Sequence, residues 1–321
     1  VDHVRLYLDS NVYSLVERND ATIRVQDWLN SSRHTIVVSF MNLMEATRIH
    51  DDSKRIRQVK TITSLGDKHL LTPCHYQEAQ EYLRAVRRYR PGWLRLIPGD
   101  TSHISVIQHR YRRFFADLRR NPAYIPDEAL ARAEVLSAEI GQTMDEQKQR
   151  RGIEQRIGSK WTFAGGHQES IAATKDWPEH ERFWRAAAMS SWSVSLLSQG
   201  ERSSDYFDWV GPYIRTSVWE PEDVNRFWLF DVTGDGVPRI RLAGLTSFYQ
   251  TDFKIKSGNP GDAEHAAYTF DCDALITCDQ DFYHILTSVL SHFPGSARPV
   301  LIDGGAADPT HEIVSALGEW S

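Results

Sequence analysis

Hydrophobic and polar positions alternate between two regimes along the chain. Val4–Leu8 (VRLYL) is a short apolar-rich run that reads as a strand, and Asp9-Ser10-Asn11 then offers a helix N-cap before helical spacing carries through Trp28 and Leu29. Thr35–Val38 (TIVV) is β-branched and reads as a second buried strand, with Ser39 placed to cap the helix FMNLMEATRIH. Ile56–Leu65 continues helical, Leu70–Pro73 reads as a short strand or turn, and helical spacing resumes at His75. At the far end, Gly258–Gly261 reads as a loop, Asp262–Phe270 as a helix, and Ala274–Thr277 (ALIT) as a buried strand. Asp281–Phe293 then reads as a helix, Pro299–Ile302 as a strand and His311–Trp320 as a closing helix. Strand–helix alternation at both ends predicts a parallel α/β sheet.

The middle differs. Residues from about 90 to 238 carry long charged helical patterns, such as Pro126–Arg151, with breaks at Asn121-Pro122 and Gly165-Gly166. Six of the ten tryptophans lie between Trp177 and Phe230, which favours the core of a helical subdomain over a ligand cage. The predicted fold class is therefore a parallel α/β domain interrupted by a large, mostly helical insertion.

Candidate chemistry sits where strands end. In open parallel sheets, functional groups gather beyond the carboxyl ends of the strands. Asp9 follows the first strand, Asp279 follows ALIT, Glu45 lies in the second turn of the helix after strand two, and Asp262 opens the helix leading into ALIT. Each acid alone reads as an N-cap, a turn residue or a solvated charge. Together they predict one carboxylate cluster, costly without a cation and suited by its oxygen ligands to Mg²⁺ or Mn²⁺. His265, one turn after Asp262, either faces that cluster or packs; His167 has no ligand-spaced partner. Asp231–Gly236 imitates the start of a calcium loop, but Leu242 stands where a bidentate Glu is required, so it reads as a turn.

Three pieces, LYLDSNVY, VVSFMNLMEA and GDAEHAAYTFDCDALITCDQDF, resemble the PIN-domain nucleases over roughly residues 1–88 and 239–321. The resemblance implies a Rossmann-like three-layer α/β/α domain assembled from those two segments, with 89–238 inserted. It implies phosphodiester hydrolysis, most often of RNA, with Asp9, Glu45, Asp262 and Asp279 as metal ligands and Asp281 as an auxiliary acid. Asn11 and Thr277 then orient ligands or water. Small members include the toxins of toxin–antitoxin pairs, so an inhibitory protein partner is a further expectation.

Charge sharpens the choice of substrate. The chain has 321 residues and a formal net charge of −6, yet residues 84–120 hold ten Arg against Asp100 and Asp117. Arg84, Arg87 and Arg88 share a helical face, Arg112 and Arg113 follow, and Tyr89, Trp93, Tyr111, Phe114 and Phe115 interleave. This pattern suits phosphate contact and base stacking on single-stranded RNA, or on single-stranded DNA; the other reading is a solvated face over a buried aromatic seam. A DNA or flap-cutting nuclease and a non-catalytic scaffold binding a protein through the insertion are the rival functions. Three cysteines outside CxxC spacing and the lack of a basic stretch leading into a long apolar run predict no secretory signal and a cytoplasmic protein. No apolar run is long enough to span a membrane.

Overall fold

A computed structural model describes residues 3–32, 34–66, 70–123, 174, 176–197, 205–250 and 259–317. The first described elements are β1 (Arg5–Leu8), α1 (Ser10–Arg18), α2 (Thr22–Ser32), β2 (Thr35–Val37), α3 (Phe40–Thr47), α4 (Asp52–Leu65), α5 (Cys74–Tyr89) and α6 (Ser102–Arg120). After them come α7 (Glu179–Leu197), α8 (Asp205–Val210), α9 (Pro221–Arg226), α10 (Pro238–Gln250), α11 (Asn259–Ala267), β3 (Ala274–Thr277), α12 (Gln280–Leu290), β4 (Arg298–Leu301) and α13 (Pro309–Leu317). The chain divides into two compact units, one of Val1–Thr72, His109–Asp145 and Lys256–Ser321, the other of Pro73–Gln108 and Glu146–Ile255. The division differs from the expected segments: residues 73–88 fall with the second unit, and the later part of α6 with the first. The expected helical run Pro126–Arg151, the Gly165-Gly166 break and His167 lie outside the described residues.

The first unit is an α/β/α arrangement around a four-stranded parallel sheet in the order β2-β1-β3-β4. The chain steps outward from β1 to β2, then returns to the other side of β1 for β3 and β4. That reversal leaves a crevice beyond the carboxyl ends of β1 and β3, where open sheets place their ligands. The two strands stay joined to their last residues, since Asp9 N–H donates to the Ile276 carbonyl at 2.9 Å.

Alternation along the strands divides the core. Leu6, Leu8, Ile36, Val38, Ala274 and Ile276 are buried on one face with Val12, Val16, Val25, Val59 and Ile62 from α1, α2 and α4. The intervening positions Tyr7, Leu275 and Thr277 face the other way, as a period of two requires, and Tyr7 stacks on Tyr268 at 5.4 Å between ring centroids. The loop expected at Gly258–Gly261 is shorter than the composition suggests. Asn259, Pro260 and Gly261 already form the first turn of α11, where the missing N–H of a proline has no helical acceptor to lose. Within the same unit Phe40, which opens α3, packs edge-on against Tyr111 at 4.5 Å and against Phe114 at 5.3 Å, both from α6.

The second unit is helical and aromatic. Trp184, Trp192, Trp209 and Trp228 are fully buried, so the tryptophan-rich stretch is core. Tyr82 of α5 lies flat against Trp192 at 4.3 Å. Gly244 of α10 lets that helix approach α7 closely, since a Cβ there would stand 2.7 Å from Trp184 Cβ. Asp231–Gly236 forms a short turn, and Asp231 is held by Arg90 at 2.6 Å.

Arg185 fastens this core. Its Nη1 donates to the carbonyls of Trp228 (2.8 Å) and Val232 (2.7 Å), its Nε donates to Glu181 (2.9 Å), and its guanidinium lies over the Trp184 ring. Trp228 lies within a π-helical turn, Phe227–Asp231, and Val232 caps its end, where a carbonyl has no helical donor left. Replacing Arg185 with Met is expected to lower the stability of the second unit by about 3–5 kcal/mol, because Glu181 and both carbonyls lose a buried cation. Urea unfolding followed by tryptophan fluorescence checks this; a midpoint equal to that of the unsubstituted chain would contradict it.

Candidate metal centre

Asp9 is the fixed point of the site. It ends β1 with an extended backbone and caps α1, accepting Ser10 N–H at Oδ1 (2.7 Å). Its other oxygen accepts Asn11 Nδ2–H (2.6 Å) and the Thr277 hydroxyl (2.8 Å). Asn11 reaches back across the crevice, its Oδ1 accepting Cys278 N–H at 2.9 Å. Thr277 Oγ1 also accepts Asp279 N–H at 3.0 Å, so one hydroxyl ties the ends of β1 and β3 to a single carboxylate. Asn11 and Thr277 therefore stand in the hydrogen-bond network around Asp9.

Glu45 and His265 complete the buried group. Glu45 Oε2 lies 3.1 Å from His265 Nε2, and Asp9 Oδ1 lies 3.8 Å from the same nitrogen. Glu45 is brought in by α3, whose start is set by a capping box: Ser39 accepts Asn42 N–H, and the Asn42 side chain accepts Ser39 N–H. Its carboxylate then rests against Gly261, where a Cβ would stand 2.7 Å from Glu45 Oε1. His265 is 1% exposed, so its imidazole faces the acids rather than solvent.

The ring is held from behind. His265 Nδ1 is 2.6 Å from the Tyr7 hydroxyl, which lies 2.7 Å from Ser39 Oγ. Ser39 Oγ donates to Asn42 Oδ1 (3.1 Å), and Asn42 Nδ2–H donates to the Leu8 carbonyl (3.0 Å). Sequence reasoning did not single out Tyr7, Ser39 and Asn42 as a support for the site. The available signal was the strand period, which places Tyr7 and Asp9 on one side of β1.

Charge sets the protonation states. Burial by itself disfavours a charged imidazole, but Glu45, then Asp9 and Asp262, raise His265 to about 9. Burial also works against a Glu45 anion, yet the charge and hydrogen bond of His265 hold its carboxyl below the ordinary range. Asp9 goes the other way, pushed up by burial and by Glu45 against the pull of His265. Without a metal, His265 is thus the cation that answers the two carboxylates, its Nε2–H donating to Glu45 and its Nδ1–H to Tyr7. The Tyr7 hydroxyl, raised well above the ordinary phenol range by burial, stays protonated and donates onward to Ser39.

The other acids line the same edge. Asp262 is half-buried in the first turn of α11, one turn before His265. Asp279 caps α12 by accepting the N–H groups of Asp281 (2.8 Å) and Phe282 (3.1 Å) at Oδ1. Asp281 follows in the first turn. Within the sheet unit, the described residues whose ligand atoms lie within 4.8 Å of one another are Asp9, Glu45 and His265, without Asp262 or Asp279. The donor set is therefore two carboxylates and an imidazole, where oxygen ligands alone were expected. That set fits a divalent cation, with the nitrogen favouring Mn²⁺ over Mg²⁺.

The predicted nucleic-acid arginines fall in both units. Arg112 and Arg113 are exposed on the part of α6 that belongs with the sheet, following Tyr111, which meets Phe40. Arg113 pairs with Asp117 at 3.4 Å. Arg84, Arg87 and Arg88 are exposed on α5 in the second unit. Among the described residues, no helix is long and apolar enough to cross a membrane. The sheet unit is a parallel α/β domain, interrupted in sequence by a large helical insertion. Comparison with protein-family models, curated proteins and solved structures finds no match.

Two outcomes test the site without reference to activity. A group whose folded pKa is raised stabilises the fold below its unfolded value, near 6.5 for histidine, and loses that contribution as pH rises through its folded value. For His265 the interval runs from 6.5 to about 9. The metal-free chain is expected to lose on the order of a few kcal/mol across it. Thermal melts at stepped pH should show the decline in the unsubstituted chain and a flatter profile in His265→Gln. Separately, Gly261→Ala should push the Glu45 carboxylate away from His265 and weaken Mn²⁺ binding by about 10–100-fold, read by calorimetry.

Proposed function

We propose that the chain is a metal-dependent nuclease that hydrolyses phosphodiester bonds of single-stranded or loop RNA at the edge between β1 and β3. The observation that carries this reading is the convergence of the buried Asp9 and His265 with the half-buried Glu45 at the point where the strand order reverses. A phosphodiester is an anion, so a bare carboxylate edge repels it; a divalent cation there neutralises the transition state and activates the attacking water.

Asp9, Glu45 and His265 would hold the cation, with Asp262 and Asp279 as the flanking acids that extend the ligand set and Asp281 as an auxiliary acid. Asn11 and Thr277 keep Asp9 in one orientation, so its geometry is set before substrate arrives. Tyr7 and Ser39 hold the imidazole plane in the same way. Unpaired RNA suits such a crevice because its backbone can be drawn in without unwinding a duplex. The exposed Arg84, Arg87, Arg112 and Arg113 supply phosphate contacts. The products have 5′-phosphate and 3′-hydroxyl ends.

Cleavage of a labelled single-stranded RNA with Mn²⁺ or Mg²⁺ tests the reading, with the same sequence as single-stranded DNA alongside. Asp9→Asn is expected to lower turnover more than about a hundredfold, and Thr277→Val by about 10–100-fold, with melting curves retained. Full cleavage in chelator, with carried-over metal excluded, sinks the mechanism. Cleavage of the DNA in preference to the RNA moves the assignment to the DNA-cutting rival.

A further inference from the structure

The second unit contains a cleft of about 420 Å³ that the metal-centre chemistry does not use. One wall is a face of α5, where Tyr76, Gln80, Arg84 and Arg87 follow each other at spacings of four, four and three. The opposite wall is the segment after Trp93, with Arg95, and the turn at Tyr213. That wall is built in place. Leu94 bridges to Ile214 in antiparallel fashion, Arg95 N–H donates to the Tyr213 carbonyl (2.9 Å), and Gly99 N–H donates to the Pro212 carbonyl (2.8 Å). Arg95 is fixed further by its Nε, which donates to the Ile214 carbonyl at 3.0 Å and leaves its terminal nitrogens for another acceptor. Tyr76 is steadied by Trp209, edge-on at 4.9 Å.

The charge in this cleft is one-sided. Its lining holds three arginines and no acid. Among the described residues Arg84, Arg87 and Arg95 make no ion pair, while Arg90, Arg113, Arg185 and Arg239 each have a carboxylate within 4 Å. Three guanidiniums converging on a concave surface repel one another until an anion enters, and their planar forks match phosphate oxygens. Two tyrosines and the neighbouring leucines offer a flat apolar surface beside that charge. The volume lies in the range of pockets that enclose one small ligand.

We propose that this cleft binds one nucleotide, its phosphate on Arg84, Arg87 and Arg95 and its base against Tyr76 or Tyr213. The ligand is either a free nucleoside 5′-monophosphate or a nucleotide within a single strand. The strand form deepens the nuclease reading and rests on it; the free form does not. Arg88, on the same helix but outside the lining, carries equal charge and serves as the control.

The test uses Asp9→Asn as background, so that no strand is cut while binding is measured. Calorimetry with adenosine 5′-monophosphate and anisotropy with a labelled single-stranded hexaribonucleotide, at two salt concentrations, separate the two sources. The double variant Arg84→Gln/Arg87→Gln is expected to weaken the bound ligand at least about tenfold. For the strand it should also lower the salt slope by about 1.4, at roughly 0.7 for each phosphate no longer neutralised. Arg95→Gln should weaken binding in the same direction, and Arg88→Gln should change it less than twofold. Melting curves confirm that the exposed substitutions leave the fold intact. Equal weakening by Arg88→Gln would show diffuse charge attraction and overturn the cleft. So would binding of neither ligand, or undiminished binding in the double variant, which would leave the cleft with its fully exposed Leu96 to a protein ligand. Cleavage by the unsubstituted chain reports on the metal centre separately, so either reading can fail without the other.

Discussion

A single buried ring nitrogen, His265 Nε2, stands 3.1 Å from Glu45 and 3.8 Å from Asp9, and the sheet unit is arranged around that meeting. Two carboxylates withdrawn from water at one sheet edge repel each other, and neither is tolerated there without a positive neighbour. The imidazole supplies the charge, and its own burial is tolerated because both its nitrogens have partners. Glu45 arrives on α3, His265 on α11 and Asp9 at the end of β1. No one segment makes the site, and each is held by a different local device: a capping box for α3, a backbone N–H and Asn11 for Asp9, Tyr7 for the ring.

Gly261 shows how tight the arrangement is. The backbone of α11 passes so near Glu45 that a methyl group at Gly261 would displace its carboxylate. The same helix carries His265 one turn later, so the depth of the ring and the place of the carboxylate are set together. Thr277 has a matching role across the sheet. Its hydroxyl donates to Asp9 and accepts from Asp279 N–H, so the last residue of β3 couples the position of β1 to the start of α12.

Much of this was legible along the chain, for reasons that differ by residue. Asp9 and Asp279 were readable because a residue that ends a buried strand and caps the next helix must lie at the carboxyl edge. The strands themselves showed as apolar blocks, and alternation at both ends of the chain implied that they share one parallel sheet. Glu45 was harder, since an acid in a second helical turn is ordinarily solvated; its burial depends on Gly261, far away in sequence. Tyr7 was hidden inside VRLYL as one more apolar position. Its hydroxyl finds partners 32 and 258 residues away, and no local pattern announces those. His265 left two readings open because helical spacing gives a side chain's direction but not what waits there. The division between units was obscured at α5, whose amphipathic pattern suits either a sheet-covering helix or a bundle helix.

The distribution of arginine separates two uses of the same side chain. In the second unit Arg185 and Arg239 are structural cations: each is largely buried, paired with a carboxylate, and bonded to the fold around it. Glu81 matches this pattern from the acidic side. Burial pushes its carboxyl up to about 7, while the start of α10 and Arg239 draw it back toward its charged form. The aromatic core therefore has the means to pair such charges. Arg84, Arg87 and Arg95 lie in the same unit, exposed along a concave surface whose described lining holds no carboxylate. Unpaired guanidiniums lose little when they point separately into water, so exposure alone would mean nothing. Lining one cleft is different, because an anion that enters it meets all three, and the Ile214 carbonyl holds Arg95 in place on its wall. A fold that pairs Arg185 and Arg239 with carboxylates, and lines one cleft with three arginines and no acid among the described residues, presents there a surface suited to an anion.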